Sequence, residues 1–583
     1  ATGSGVNNFT NGGVSVQTGE TVGWGGGTFP TTPANHPRGW SGCIVFEPMA
    51  PCSGTPNAGT VVSTTINACA SSPFTLSLSG ATLATGLAYQ WQSSTDNMNW
   101  TDIAGATNAT LNTSHTASTY YRAIVSCGTD SDTTAGLLVN VTPNLPAGVY
   151  TINSALPTGG TNFQSFADAI AAMNCGIAGP VTFNVAPGTY NQQIIIPQIL
   201  NTSSTNTVTF NGNGAVIQYN ATGSADRTAL ILNGADHITI DSFVIDVSGG
   251  ATYGWGIALT GGADSNRIVR NTIITSKTST SSNYMGIIIN GSVTGTASSG
   301  NNGNENLIEG NTIIGGYYGI YTYGSTTAGL YNTNNVIKDN KIEDFYMYGI
   351  YMWGQDGVKA LHNDVSRPTR TGVTTTYGVY VSTNMNVWVE GNRVHDIFEG
   401  VTANTTSTAY CIYLADDGTT TERNTAINNA VYNIKKTNGT VYGIYVPNYY
   451  YWDILHNTVV LDDPSSTAGT TDGIYAYGTS LKVMNNIVYI TRGGTGTKHL
   501  LNYNTSTATS IPTSDNNILY INAPAGSNYV GRVNATDYAT FANWQTAHGG
   551  TLDQLSMDVN PMFQNPSAGN LYPNNSAFAF AGA

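Results

Sequence analysis

Gly319-Ile320-Tyr321, Gly349-Ile350-Tyr351 and Gly378-Val379-Tyr380 are three near-copies of one tripeptide, 30 and 29 residues apart, and they decide the fold. The word continues outward. Gly256-Ile257-Ala258 and Gly286-Ile287-Ile288 precede it; Cys411-Ile412-Tyr413, Gly443-Ile444-Tyr445 and Gly473-Ile474-Tyr475 follow. Self-similarity at a period of about 20 to 50 residues marks a solenoid. A repeat this short cannot bury its own apolar face, but stacked on its neighbours it can. A second word runs in step, with some slippage: apolar, two mostly polar, Asn, one residue, apolar. It places Asn271, Asn311, Asn340, Asn363, Asn392, Asn429, Asn457 and Asn486 in one series. Asparagine tolerates left-handed backbone. The expectation is an asparagine at a sharp turn once per coil, with amides hydrogen-bonded along the axis. Gly-Ile-Tyr is then another strand of the same coil. The fold class is all-β, a parallel β-helix of about ten coils at about 4.8 Å each.

Side chains alternate faces along a strand, so Ile fills the core and Tyr lines the outside. Tyr321, Tyr351, Tyr380, Tyr413, Tyr445 and Tyr475 should form one column, with Tyr323, Trp353 and Tyr477 extending it two residues on. Such a column is either a structural aromatic ladder or a carbohydrate-binding strip. Tyr449, Tyr450, Tyr451 and Trp452 form a loop that, with Trp353, is the candidate glycan-binding set.

Three segments follow from composition and pattern. Residues 1–55 are rich in Gly, Thr and Pro and read as a short β-module or the tail of a preceding domain. Residues 56–142 read as a β-sandwich, with alternating strands at Phe74–Leu78, Tyr89–Gln92 and Tyr120–Val125. Residues 148–583 hold the β-helix and its C-terminal cap. The β-helix opens with a helix: Ser165 is its N-cap, Phe166, Ile170 and Met173 form an apolar face, and Gly176 stops it. That helix covers the open edge of the first coil.

Only 9% of the 583 residues are Asp, Glu, Lys or Arg, against about a quarter in an average soluble protein. Sixty-seven glycines and 34 tyrosines accompany them, a composition suited to an extracellular β-rich protein. The net charge of −14 argues against a nucleic-acid partner. No apolar run is long enough to span a membrane, and no signal peptide stands at Ala1. The six cysteines form no zinc-site spacing. Cys43 and Cys52 are close enough to pair; Cys175 and Cys411 read as lone buried thiols.

The segment Cys69, Trp91, Cys127 resembles an immunoglobulin-like sandwich, which implies a Cys69–Cys127 bridge near a core tryptophan. Tyr121 lies six residues before Cys127, not two, a departure from that pattern. The runs Gly159–Phe166 and Gly179–Tyr190 resemble the opening of right-handed parallel β-helix domains in secreted proteins of Bacteroidetes-type bacteria. Ala88 to Arg122 is similar to the immunoglobulin-like modules of the same proteins. Asn560-Pro561-Met562-Phe563, with Ser576-Ala577 and Ala581-Gly582, resembles the last turn of such helices. The resemblance implies export by the type IX secretion machinery and a secreted or cell-surface, adhesin-like role. It also implies glycans or other surface proteins as partners, and self-assembly is open. Asp132-Thr133-Thr134 resembles an O-glycosylation sequon of these bacteria, which would modify Thr133.

β-Helix lyases and glycosidases use acidic clusters, sometimes with calcium, or paired carboxylates. The set to consider is Asp344, His395, Asp396 and Arg367, with Arg370 and Glu399 nearby in sequence. Asp344, Arg367 and Asp396 each stand four residues after a series asparagine, so they are expected to share one face. The stripe reads as a surface charge ladder, or as a lyase-like site. Asp416-Asp417, Asp462-Asp463, His362 and His456 read as turn positions. The sequence therefore points to a non-catalytic structural or adhesin-like protein without a cofactor. A polysaccharide lyase or glycoside hydrolase is the alternative.

Overall fold

The computed structural model describes residues 50–327, 329–401, 407–504 and 511–576, with the backbones of strands Asn7–Asn11, Val14–Thr21 and Asn35–Arg38. The chain divides into two compact units, Ala1–Thr142 and Pro143–Ala583.

In the first unit the three early strands form one antiparallel sheet. After them, a three-stranded sheet (Thr60–Ser63, Phe74–Ser79, Thr110–Thr113) and a six-stranded sheet share a core of Phe74, Leu76, Leu111, Trp91, Ala123 and Val139. Trp91 is fully buried and donates from Nε1 to Asn108 O at 2.9 Å, so it is a core residue. Cys127 bonds to Cys52, with Cα atoms 5.8 Å apart. Neither expected pairing, Cys69–Cys127 or Cys43–Cys52, is therefore formed; Cys43 itself lies outside the described residues. Cys69 and Cys175 are also oxidised, which removes Cys175 from the lone thiols. Cys411 is free and buried.

The second unit is a right-handed parallel β-helix. The coils stack their strands into three sheets, of fourteen, twelve and thirteen strands, parallel except for the last strand of the third, Thr536–Tyr538. The winding makes about twelve coils rather than ten, because the second sheet counts twelve strands. In the central coils the first sheet holds Leu307–Glu309, Val336–Lys338, Lys359–Leu361 and Trp388–Glu390. The second holds Thr312–Ile314, Lys341–Glu343, Asp364–Ser366 and Arg393–His395. The third holds Tyr318–Tyr323, Tyr348–Trp353, Thr376–Ser382 and Ala409–Ala415. Strands of three to seven residues, each turning one or more apolar residues inward, fill a narrow core. Ile337, Ile342 and Ile350 meet there from the three sheets, each with no exposure.

The asparagine series sits at the two-residue turn between the first and second sheets. Its geometry differs from the expectation by one position. The left-handed residue is the one before each asparagine: Asp339 (φ 53°), His362 (52°), Gly391 (65°), Asn428 (56°) and His456 (54°). This confirms His362 and His456 as turn residues. The asparagine itself turns inward. Asn363 donates its backbone N–H (3.1 Å) and its Nδ2 (2.9 Å) to Oδ1 of Asn392, and Nδ2 also to Ile337 O at 2.9 Å. The same exchange links Asn271 through Asn311, Asn340, Asn363, Asn392, Asn429 and Asn457 to Asn486 and Asn517. A second amide ladder, not read from the sequence, precedes the first sheet. It links Asn306, Asn335, Gln355, Asn384 and finally Asp416.

Both ends of the stack are closed. The helix Phe166–Ala172 is N-capped by Ser165, whose Oγ accepts from Asp168 N at 3.0 Å. Its Phe166 ring packs 5.3 Å from Tyr190 and 6.2 Å from Phe210. At the other end Trp544, fully buried, donates from Nε1 to Asp553 Oδ2. Asn560 to Phe563 do not form a last turn. They start a strap that doubles back over the second sheet. Gln564 N donates to Tyr572 O at 3.1 Å and Asn574 N to Pro561 O at 3.0 Å, giving the strap two arms. Phe563 packs edge-on to Tyr489, 5.7 Å away, and Ser567 O at the strap's tip accepts from Asn433 Nδ2 at 2.7 Å. Ala577, Ala581 and Gly582 lie outside the described residues. No described helix is long and apolar enough to cross a membrane.

Candidate functional site: a double column of tyrosines

The glycine of the repeated word fixes the outer face of the third sheet. A Cβ on Gly349 would lie 2.4 Å from Val365 Cγ1 and 2.5 Å from Gly378 O. A Cβ on Gly319 would lie 2.4 Å from Ile342 Cγ2. Glycine therefore faces the interior, and so does the Ile beside it. Two consecutive inward residues shift the alternation by one. The residues on both sides of Gly-Ile then point outward, and both are tyrosines. Tyr318 and Tyr321 of one strand stack at 4.6 Å.

Two columns result. One contains Tyr318, Tyr348, Tyr377, Tyr410 and Tyr442, with successive rings 4.8–5.0 Å apart and within 8° of parallel. The other contains Tyr321, Tyr351, Tyr380, Tyr413, Tyr445 and Tyr475 at 4.6–5.2 Å. Between columns the rings meet edge to face, as in Tyr348–Tyr351 at 82° and Tyr410–Tyr413 at 84°. Only the second column was expected. The sequence signal for the first was the tyrosine directly before the word in five successive repeats. Ring faces are covered by neighbouring rings, so the columns show solvent their edges and hydroxyls. None of these hydroxyls is among the buried polar atoms that lack a partner. Burial raises their pKa, Tyr377 to about 12, so the phenols stay neutral at ordinary pH.

The face has definite ends. Towards the N-terminus the columns continue as Met285 and Ile288, which pack with Trp255 and Val293, and Tyr321 is only 3% exposed. Towards the C-terminus the first column continues as Asp472, His499 and Tyr529, the second as Asn502 and Arg532. His499 Nδ1 lies 2.8 Å from Asp472 Oδ1, and Nε2 lies 3.2 Å from Asp537 Oδ1. Asn504 donates to the Tyr475 hydroxyl at 2.7 Å.

The residues singled out from sequence are distributed differently. Trp353 stacks flat on Tyr323 at 4.1 Å beside the columns. Tyr450 is 38% exposed, whereas Tyr449 and Tyr451 are partly buried. Trp452 has no exposure and donates from Nε1 to Asp416 O, so it belongs to the core and not to a binding loop. Thr133 is exposed at the end of strand Asp130–Thr133.

Asp344, Arg367 and Asp396 occupy one corner of successive coils with His395 at the strand end beside it, since Glu343 pairs with Ser366 and Ser366 with His395. The side chains nonetheless part. Arg367 turns inside, fully buried, donating from Nε to Phe345 O (2.7 Å) and from Nη1 to Thr376 Oγ1 (3.1 Å). Burial lowers its pKa to about 9. Asp344 is buried too and accepts from Thr369 N (2.8 Å), Arg370 N (3.0 Å) and Lys277 Nζ (3.0 Å). Both hold the loop of residues 369–372 in place. His395 bridges Asp396 (2.8 Å) and Asp364 (3.0 Å), and its ring stacks on Tyr432 at 4.8 Å. Burial opposes its charge, but the two carboxylates prevail and raise its pKa to about 9. Asn433, beside Tyr432, ties Asp396 to the strap. Glu399 pairs with Lys435 instead. Among the described residues no cluster of three or more His, Cys, Asp or Glu is arranged to hold a metal ion.

Residues 288–459 match the family described as a right handed beta helix region, and residues 57–143 match a domain of unknown function. No curated protein matches the chain. Among solved structures, the periplasmic alginate epimerase AlgG is similar over 61% of this chain and 77% of its own, with 12% identity and a TM-score of 0.35. An alginate lyase from Paenibacillus sp. str. FPU-7 is similar over 67% and 99%, with 16% identity and a TM-score of 0.27. The catalytic unit of an alpha-1,3-glucanase from Streptomyces thermodiastaticus strain HF3-3 is similar over 82% and 90%, with 12% identity and a TM-score of 0.30. Likeness this distant carries no argument about chemistry.

Proposed function

We propose that this protein is a carbohydrate-binding β-helix that acts outside the cell, in an adhesin-like or structural role. Its ligand lies along the tyrosine face. The observation that carries the reading is the double column itself: eleven stacked rings, ten of them partly exposed, on one sheet of the β-helix. Rows of hydroxyls match a polymer of hydroxyls. The Cys52–Cys127 bond fits an oxidising compartment.

The enzymatic alternative has one observation in its favour, the Asp472–His499 pair in line with the first column. Both ring nitrogens of His499 face carboxylates and the residue is 1% exposed, so it offers a ligand no free base. The binding reading is therefore preferred.

The test is affinity electrophoresis through gels holding single polysaccharides, with the double variant Tyr377→Phe/Tyr410→Phe alongside. At least one polysaccharide should retard the wild type, and removing two hydroxyls while keeping the rings should weaken that retardation about tenfold, near 1.4 kcal/mol. Product release from the retarding polysaccharide would return the enzymatic reading.

A further inference from the structure

We infer that the tyrosine face selects an uncharged, extended glycan that runs along the coil axis and meets about one sugar per coil. This rests on the carbohydrate reading above and narrows it to a ligand class.

Charge is the first argument. Over the coils from Tyr318 to Tyr445 neither column contains an ionisable residue other than tyrosine, and the phenols are neutral. The outward positions beside them, Tyr323, Trp353, Ser382, Pro447 and Tyr477, are neutral as well. A uronate polymer carries one carboxylate per sugar, and proteins meet carboxylates with arginine or lysine. Exposed lysines exist, but Lys359 and Lys482 stand on the first sheet. The ionisable groups bordering the face are Asp472 at its end and Asp416 and Asp417 near Tyr449. Arg532 is the cation beyond Tyr475, and it stands 3.7 Å from Asp537. A polyanion laid here would find no partner for its charges.

Geometry is the second argument. The rings repeat at 4.6–5.2 Å, once per coil. A chain whose sugars advance by that step meets the same pair of hydroxyls at each unit, whereas a tightly coiled glycan would not. With ring faces covered, contacts are hydrogen bonds and edge contacts, each weak, so affinity is assembled by repetition. Five rings in one column and six in the other set the useful length at five to six sugars.

The experiment is calorimetry on the intact chain. The probes are β-1,4-linked gluco-, manno- and xylo-oligosaccharides of three and six units, with hexameric galacturonate and mannuronate at low salt. The expected result is that one neutral hexamer binds at least tenfold tighter than its trimer, and that neither uronate hexamer binds. Tyr380→Arg, confirmed folded by circular dichroism, should lose the neutral ligand and gain the uronates. Tighter binding of a uronate by the wild type, or equal affinity for trimer and hexamer, would overturn the inference while leaving carbohydrate binding intact. Absence of binding to every probe and to every polysaccharide gel would overturn the carbohydrate reading along with it.

Discussion

The asparagine column and the tyrosine columns come from the same repeat, yet they handle their polar atoms in opposite ways. Each asparagine is buried and commits its Oδ1 and Nδ2 to the coils above and below. The column tyrosines commit their ring faces to their neighbours, and all but Tyr321 remain partly exposed. A one-letter column is thus not a functional signal in itself. What distinguishes the two is whether the side chain still has an unspent group. The asparagines have none; the paired tyrosine columns offer up to two hydroxyls per coil.

Three measurements break or sharpen that contrast. The largest effect belongs to Asn392→Ala. It removes the buried partners of the Asn363 backbone N–H, of one Nδ2 hydrogen of Asn363 and of the Ala360 carbonyl. Stranded buried groups cost about 1–3 kcal/mol each, so urea unfolding should show a loss of about 4 kcal/mol. A loss below about 1 kcal/mol would mean that water repairs the ladder.

Asp416→Asn comes next, at the one ionisable rung of the second ladder. Burial raises the Asp416 carboxyl to about 7, above its unfolded value, while its oxygens accept from Asn384 N (2.7 Å) and Nδ2 (2.9 Å). A raised carboxyl pKa means that the folded state binds the extra proton. Its penalty is absent below about pH 4, grows as pH rises to about 7, and is constant above. Unfolding at pH 4 and pH 8 should therefore differ by on the order of 4 kcal/mol more in the wild type than in the variant. Equal slopes would show that Asp416 is not protonated in the fold.

Tyr410→Phe is the smallest in stability. Its ring keeps the stacking on Tyr377 and Tyr442 at 5.0 Å, so the unfolding midpoint should shift by less than about 0.5 kcal/mol. Glycan affinity should fall nonetheless. A large loss of stability would place the hydroxyls on the structural side of the comparison.

Much of this architecture was legible because the inward Gly-Ile word and the turn asparagine repeat at a nearly fixed interval. The asparagine ladder was legible too, but its turn residue was misplaced by one. A side chain that can bond along the axis is more useful inward, which leaves the left-handed position to Asp339, His362 or Gly391. The first tyrosine column was missed because strict alternation was assumed, and Gly319-Ile320 breaks it. The corner shared by Asp344, Arg367 and Asp396 followed from register. Register does not say which way a side chain leaves the backbone, and Arg367 left inward. The Cys52–Cys127 bond and the strap join residues far apart in sequence, where spacing carries no information.

The strap changes how the rod comes apart. A stack in which each coil touches only the next frays from its end, one rung after another. Here Asn433 grips Ser567 across 134 residues of chain. The coils between those anchors cannot unwind singly until that grip opens. The closing third of the solenoid should thus yield as one cooperative block, and hydrogen exchange across it should report a single opening rather than a gradient.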